Sequence, residues 1–449
     1  MKEIKKLGLC LGCAVLFIAF YFLCAGSAQS AREYYAGYDG SSAIKNVQNI
    51  SIEDAVHQYV TEHLEKEIKI TGTGDIMFYE YQMTRAYDSE SQTFDFTPSF
   101  QYISKYLEDS SYVLGNLEAT MAGKEKGKNS NTMGYWADVD NMNFNVPEQA
   151  AKDLKAAGFD MLTTANNHAM DSGIAGLSAT IDFIKDAGLD QTGSFKANTD
   201  QKYEIKNIDG INVGFIAYSN TVNETLDAEN SYALNSLDEG ESGYSETKVT
   251  LLCSQIGEMR TKGAEFVVVY LHFGTKYASA PGEAEKQLAR QLVNAGADVI
   301  FGSYPHVVQP MELITATASD GSERTGVVFY SLGNFISSMQ YQSSNGYSRD
   351  LGAIASVVLT KDNTGAHISG IEIVPTYVDW TDKDIVVLPV CEVKDNESAF
   401  ASRFENDDTA YLDKERLDAG YEGVIKSIIG DSDLKYTYSD YKYKISLEK

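Results

Sequence analysis

Cysteine is scarce in this chain, and most of it sits where no disulfide framework could use it. Of five cysteines in 449 residues, Cys10, Cys13 and Cys24 fall in an apolar N-terminal leader, leaving Cys253 and Cys391 for the remainder. A disulfide-dense secreted scaffold needs several pairs, so that class is excluded. The two remaining thiols could form one bridge, but sequence does not show that they meet. Cys253, within Leu251-Leu252-Cys253, is expected to be a buried free thiol. Positive charge is also short, with 37 Lys and Arg against 64 Asp and Glu and a net charge of −27. Such a surface repels a polyanion, which excludes nucleic-acid binding. The acidity is read as solubility at a charged cell surface rather than as a site for a cationic partner. No internal repeat is present. Histidine is rare too, at six, so the places where the histidines fall carry information.

Hydrophobic residues make up 43% of the chain and charged residues 22%, an ordinary globular balance. The length permits a large core. Lys2, Lys5 and Lys6 precede an apolar run from Leu7 to Cys24, and Ala25-Gly26-Ser27-Ala28 follows. This is the pattern of a signal peptide cleaved after Ala28. The run also reaches the ~18 residues that can span a bilayer, so an uncleaved anchor with its amino end inside is an equal reading. Cys24 follows Tyr21-Phe22-Leu23 and lacks a lipoprotein context. Export to the extracellular face of the cell membrane is expected, anchored there or secreted if the leader is cleaved.

Residues 29–65 are polar and read as a spacer, with a short helix around Ile52–Val56. From Glu67 the pattern changes. Short apolar runs at Ile68–Ile70, Tyr112–Leu114, Phe159–Thr163, Val213–Tyr218, Phe266–Leu271, Val299–Phe301 and Val327–Tyr330 predict strands. Helices are expected from Pro147 to Gly158, Ile174 to Ala187, Thr247 to Thr261 and Glu283 to Ala295. Ile354–Leu359 and His367–Ile373 alternate and predict antiparallel strands. Interleaved strands and helices imply a layered α/β domain over residues 66–380. Residues 381–449 are read as a C-terminal extension, with Lys435–Tyr438 too polar for a strand with a buried face.

Six strings close predicted strands with metal-capable or amide side chains: Gly74-Asp75, Gly115-Asn116-Leu117-Glu118, Asn166-Asn167-His168, His272-Phe273-Gly274, Pro305-His306 and Gly333-Asn334-Phe335. Three of the six histidines lie in them. Loops leaving the carboxyl ends of strands converge on one crevice in an open α/β sheet, so these residues can share a site. Each string alone has a bland reading: a turn aspartate at Asp75, a helix cap at Asn166-Asn167, a satisfied core histidine at His272. Together they point to a centre for divalent ions, which favour mixed imidazole, carboxylate and carbonyl ligands. Two such ions can clamp the attacking and leaving oxygens of a phosphoester.

The same strings, with Ile76-Met77, Asp171 and Gly173, Val307-Val308-Gln309-Pro310 and Tyr330-Ser331-Leu332, resemble the bacterial CapA family of capsule and poly-γ-glutamate synthesis proteins across residues 67–375. The resemblance implies a calcineurin-like metallophosphoesterase fold, a sandwich of two mixed β-sheets flanked by helices. It implies metal ligands at Asp75, Asn167, His272 and His306, with Glu118 or Asn116 in the place of the bridging carboxylate. His168 would act as proton donor or charge stabiliser, with Asp171 beside it in the catalytic pair. Asn116, Lys276, Tyr304 and Asn334 would contact substrate. The implied cofactors are divalent metals (Mn, Fe or Zn), up to two. The implied partners are an anionic envelope polymer or its precursor, the membrane complex that makes it, and the membrane itself through the N-terminal segment. Three departures stand out: Met77 for a first-motif His, Tyr304 for a second His, and Lys276 for an acidic residue. A Lys276 ammonium beside a cation site would instead hold an anionic group of the substrate.

Two readings of function follow. One is a metal-dependent hydrolase acting on a phosphoester, amide or ester of an envelope polymer. The other is a non-catalytic polymer-binding or assembly subunit with a degenerate site, motivated by Met77, Tyr304 and Lys276. A purely structural surface protein ranks last because it leaves the strand-end pattern to chance.

Overall fold

The computed structural model describes residues 66–125, 134–138, 143–224, 226–238, 243–317, 323–362, 365–404, 414–430 and 432–447. The expected leader, spacer and short helix fall on residues 1–65, outside the described residues. Among the described residues no helix is long and apolar enough to cross a membrane.

Two mixed sheets make the body of the protein. Sheet 1 is built on β1 (Lys66–Ile76), β4 (Tyr112–Leu117), β7 (Met161–Thr163), β8 (Asp190–Thr192), β16 (Leu351–Asp362), β17 (Gly365–Trp380), β19 (Thr437–Ser439) and β20 (Lys442–Ser446), in the order β19-β20-β17-β16-β1-β4-β7-β8. β15 (Asn334–Ile336) also pairs with β1, and β18 (Ile385–Pro389) with β17. Sheet 2 runs β13-β14-β12-β11-β10-β9, from β9 (Glu204–Ile208), β10 (Ile211–Ser219), β11 (Phe266–His272), β12 (Val299–Ser303), β13 (Met311–Thr317) and β14 (Glu323–Phe329). Two small ribbons stand apart: β2 (Tyr87–Asp88) with β3 (Thr93–Phe94), and β5 (Trp136–Asp138) with β6 (Asn143–Asn145). Neighbours among β1, β4, β7 and β8 run parallel, and likewise β10, β11, β12 and β14. β16 and β17 are antiparallel, as their alternation predicted.

Side-chain alternation sorts residues between layers. In β11, Phe266, Val268 and Tyr270 join the cluster between the sheets, while Val267, Val269 and Leu271 join the outer cluster. A continuous apolar run is what a strand covered on both faces requires. The inner cluster adds Ile68, Ile70 and Leu114 from sheet 1 to Phe215, Phe301 and Phe329 from sheet 2. Outside sheet 1, α1 (Gln149–Ala157) packs Ala150, Ala151 and Leu154 against Val113 and Leu162. It ends on Gly158 at φ 111°, a left-handed cap that favours glycine. α2 (Gly173–Asp186) follows β7. Outside sheet 2, α3 (Glu246–Thr261) and α4 (Glu283–Ala295) contribute Leu252, Ile256, Leu288 and Leu292. The result is helix, sheet, sheet, helix.

Residues after 380, expected to form an extension, join the same body instead. β18 and β20 both pair with β17. Val390 and Cys391 of α5 (Val390–Asp395) and Leu417, Val424, Ile425 and Ile428 of α6 (Lys414–Ile429) belong to the inner cluster. The physical reason for the difference is that β19 is exposed at every residue and β20 buries only Tyr443 and Ile445, so neither shows a long apolar face. Cys253 and Cys391 are both free, Cys391 buried and Cys253 only half-buried, against the expectation of a buried Cys253.

Candidate metal centre

The carboxyl ends of parallel strands from both sheets meet at one place. β1 delivers Asp75, and the residue after β4 is Glu118. The loop after β7 carries Asn166–His168, β11 ends on His272, and the loop after β12 carries Tyr304 and His306. The approach is close: a Cβ on Gly74 would lie 2.2 Å from the Gly333 carbonyl oxygen, and Gly333 itself has φ 69°. Only glycine tolerates both conditions. Tyr304 (φ 96°) and His306 (φ 59°) are non-glycine residues held in the left-handed region. Such strain persists only where surrounding contacts impose it, and here the Tyr304 amide donates to Asp75 Oδ2 at 3.1 Å.

Three imidazoles aim at one carboxylate. Nε2 of His168, His272 and His306 lie 3.8, 3.7 and 3.8 Å from Glu118 Oε1. Asp75 closes the group, with Oδ1 3.7 Å from His272 Nδ1 and Oδ2 3.2 Å from His306 Nδ1. All five side chains are buried. Asp75, Glu118 and His272 each place a ligand atom within 4.8 Å of the others. Neither Glu118 oxygen has a hydrogen-bond partner, nor has Nε2 of His168 or His306. A buried carboxylate left without donors is costly. Metal–ligand bonds of about 2.0–2.2 Å allow two ligand atoms to stand up to about 4.4 Å apart. Imidazole nitrogens 3.7–3.8 Å from an unpartnered carboxylate oxygen therefore fit a divalent ion.

The outward-facing nitrogens explain why the Nε2 atoms are free to ligate. His168 Nδ1 lies 2.8 Å from Asp171 Oδ2, which also accepts from the Phe144 amide at 2.7 Å. His306 Nδ1 lies 3.1 Å from Asn334 Oδ1. An acceptor at Nδ1 fixes the Nδ1–H tautomer and turns an Nε2 lone pair toward the centre. His272 differs. Its Nδ1 meets Ser303 Oγ at 2.9 Å and Asn116 Nδ2 at 3.2 Å, and its Nε2 faces Asn167 Oδ1 at 2.7 Å. An amide oxygen and an imidazole nitrogen facing each other must share a proton or a cation.

Burial and neighbouring charges shift the ionisable groups of the cluster. Burial, reinforced by the Asp75 charge, pushes the Glu118 carboxyl well above its ordinary range, with Lys276 opposing. Burial alone would raise Asp75 as well, but His272 and His306 outweigh it and hold Asp75 low. Burial lowers His272 to about 4, against the pull of Asp75, so this ring is neutral at pH 7. Burial raises Asp171, with His168 opposing.

The expected site residues lie at or beside this cluster, and Asn116 and Asn334, expected to contact substrate, have both ends of their amides engaged within the protein. Asn116 is fully buried, its Nδ2 donating to Asp75 Oδ1 at 2.8 Å and its Oδ1 accepting from Asn166 at 3.0 Å. Asn334 is also buried, between His306 and the Arg349 carbonyl, to which it donates at 2.8 Å. Each amide thus holds a neighbouring side chain of the cluster, Asn116 that of Asp75 and Asn334 that of His306. Of the alternatives for the bridging carboxylate, Glu118 is the one that reaches the three imidazoles. The Tyr304 ring packs on His272 at 4.9 Å between centroids, and Lys276 Nζ lies 5.3 Å above that ring. Met77 is buried in the apolar cluster outside sheet 1. Among the described residues one such group of carboxylates and imidazoles converges.

Sequence reasoning missed Asn223. It accepts from Asn167 Nδ2 at 3.2 Å and reaches His168 Nδ1 at 3.3 Å, so it sets which end of the Asn167 amide faces the centre. The signal existed: Asn223 lies in the loop that leaves β10, another parallel strand end.

A chain whose strand ends carry such a cluster is of the kind that residues 69–339 match, the bacterial capsule synthesis protein family PGA_cap, and it belongs to that family. Among individual relatives, it is 32% identical over 282 residues to the capsule biosynthesis protein CapA of Bacillus anthracis, covering 61% of each chain. It is 29% identical over 267 residues to the PGA biosynthesis protein CapA of Bacillus subtilis (strain 168), covering 59% of this chain and 61% of that one. The chain thus spans about three fifths of the length of the curated relatives it matches. Two solved structures overlap at 8% identity: a Thermus thermophilus protein (TM-score 0.32, 64% of this chain and 94% of that one) and a dimetal phosphatase from Danio rerio (TM-score 0.27, 62% and 98%). Likeness at these scores carries no argument, and the two-sheet architecture rests on the strand pairing described above.

Proposed function

We propose that the chain takes part in building a capsule or poly-γ-glutamate-type envelope polymer and carries a metal-dependent hydrolase site. The observation that carries the reading is the convergence of three imidazole Nε2 atoms on the unpartnered, buried carboxylate of Glu118. Asp75, Glu118, Asn167, His272 and His306 are the residues that would hold a divalent ion. When bound, such an ion supplies Lewis acidity to a phosphoryl or carbonyl oxygen.

The chain's own groups supply the rest. His168 takes up a proton at Nε2 and hands it to the leaving group, the role of a general acid. Asp171 holds the ring through Nδ1 at 2.8 Å and stabilises the imidazolium. Lys276, half-buried beside Tyr304, offers positive charge to an anionic part of the substrate. The N-terminal segment exports the chain and holds it at the outer face of the cell membrane, beside the complex that makes the polymer.

A second reading, a polymer-binding or assembly subunit without turnover, is favoured by one observation. Lys276 brings a cation within electrostatic reach of Glu118, which weakens the attraction for a metal. The test is turnover of an aryl phosphodiester and of a glutamate oligomer by the Mn²⁺-loaded chain, wild type beside His168→Ala. Turnover lost in the variant at unchanged metal content supports the hydrolase. Absence of turnover in the loaded wild type overturns it in favour of the subunit.

A further inference from the structure

A cleft of about 400 Å³ lies beside the metal-centre loops, bordered by Tyr79, Tyr277, Ser338, Gln340, Tyr341 and Arg349. Its walls are tied to the centre. The Tyr277 ring lies 6.2 Å from that of His306, and the Arg349 carbonyl accepts from Asn334, whose other end meets His306. Burial, Glu118 and Tyr277 raise the Tyr79 hydroxyl while Arg349 lowers it, so this phenol feels both the centre and the guanidinium.

Arg349 is placed differently from the other described arginines. Arg260, Arg290, Arg324, Arg403 and Arg416 each pair with a carboxylate. Arg85 spends its guanidinium on the Thr381 and Tyr81 carbonyls. Arg349 pairs with no carboxylate among the described residues: its Nε donates to the Gln340 carbonyl at 3.1 Å and its guanidinium stacks 5.4 Å from the Tyr277 centroid. In a chain of net charge −27, a half-buried guanidinium left without an acid in a cleft is a place for an external anion. Tyr277 is itself fixed, at φ 65° and stacked on Tyr347 at 5.0 Å. Arg349 therefore has a rigid platform, and its planar fork suits a carboxylate or phosphate oxygen pair.

We infer that this cleft is an anion subsite, in which Arg349 grips a carboxylate or phosphate group of the substrate while an adjoining segment lies on Tyr277 toward the metal centre. The subsite rests on the hydrolase reading only for the chemistry at the adjoining centre. Arg349 and Tyr341 also lie beyond residues 69–339, the part that matches the family model.

The test is calorimetric titration of the full chain with tri-glutamate, uncharged tri-glutamine and inorganic phosphate, for wild type, Arg349→Gln and Arg349→Lys. Removing the charge-assisted hydrogen bonds with Gln predicts about tenfold or more weaker binding of the anion, with a smaller loss for Lys. Metal content should match wild type in both variants. A loss confined to tri-glutamate assigns the subsite to carboxylates, and one confined to phosphate assigns it to phosphoryl groups. Equal affinity in wild type and Arg349→Gln, equal binding of tri-glutamine, or no binding by wild type would overturn the subsite. Arg349-dependent binding in a chain with neither metal nor turnover would remove the hydrolase reading and leave the subsite standing.

Discussion

Replacing Glu118 by Gln removes one negative charge and almost no volume, and the structure sets the sign of two separate effects. In the metal-free protein Glu118 is buried beside Asp75 with no donor on either oxygen. A neutral amide there escapes the desolvation that raises the carboxyl, and its N–H groups face the Nε2 lone pairs of His168 and His306. The metal-free variant should thus be as stable as wild type, or more stable by about 1–2 kcal/mol. Metal binding should move the other way. Removing one partner of a buried charge pair costs about 3–5 kcal/mol, which is a loss of about 10²–10³-fold or more in affinity. The assay is thermal unfolding at graded Mn²⁺, with and without chelator. Wild type at about 100 times its Kd gains about 2.7 kcal/mol from ligation and a higher Tm, while Glu118→Gln should keep one Tm throughout. A variant that binds Mn²⁺ as wild type does, or that unfolds well below metal-free wild type, would refute the reasoning.

Three further outcomes follow from the geometry. Asp171→Asn weakens the hold on the His168 imidazolium, so turnover should fall about 10²–10⁴-fold while metal content stays near wild type; loss of metal instead would make His168 a structural ligand. His272 has its folded pKa lowered from 6.5 to about 4, so its contribution to metal-free stability is present above pH 6.5 and lost as pH falls through about 4. That contribution is about 3 kcal/mol, and equilibrium unfolding at stepped pH should show a slope in this window that His272→Gln flattens. Gly74→Ala would put a methyl 2.2 Å from the Gly333 carbonyl oxygen, which should cost about 1–3 kcal/mol or more and lower Tm together with metal retention.

How much of this was legible in the sequence depended on what each element buries. β11 announced itself because both of its faces are covered, so six consecutive residues are apolar. The convergence of His168, His272 and His306 was legible because a strand end is a fixed place in an α/β sheet, and three of only six histidines fall there. β19 and β20 were not, because β19 is an exposed edge strand and β20 beside it buries only Tyr443 and Ile445, so backbone hydrogen bonds hold both with little apolar side chain. The hydrogen bonds of Asn116 to Asp75 and of Asn334 to His306 were not legible either, because an amide beside a site looks the same in sequence whichever neighbour it faces. Asn223 and Arg349 act through contacts made far along the chain from the strings that drew notice, and no local pattern reports such contacts.

The central claim is that Asp75, Glu118, Asn167, His272 and His306 hold a divalent ion, and the metal content of the purified full chain tests it most directly. Mass-spectrometric metal analysis after incubation with Mn²⁺ and desalting should find near-stoichiometric metal in wild type and little in His272→Ala, since His272 contacts Asp75, Glu118 and Asn167 at once. Little metal in wild type, or equal metal in both proteins, would contradict the account.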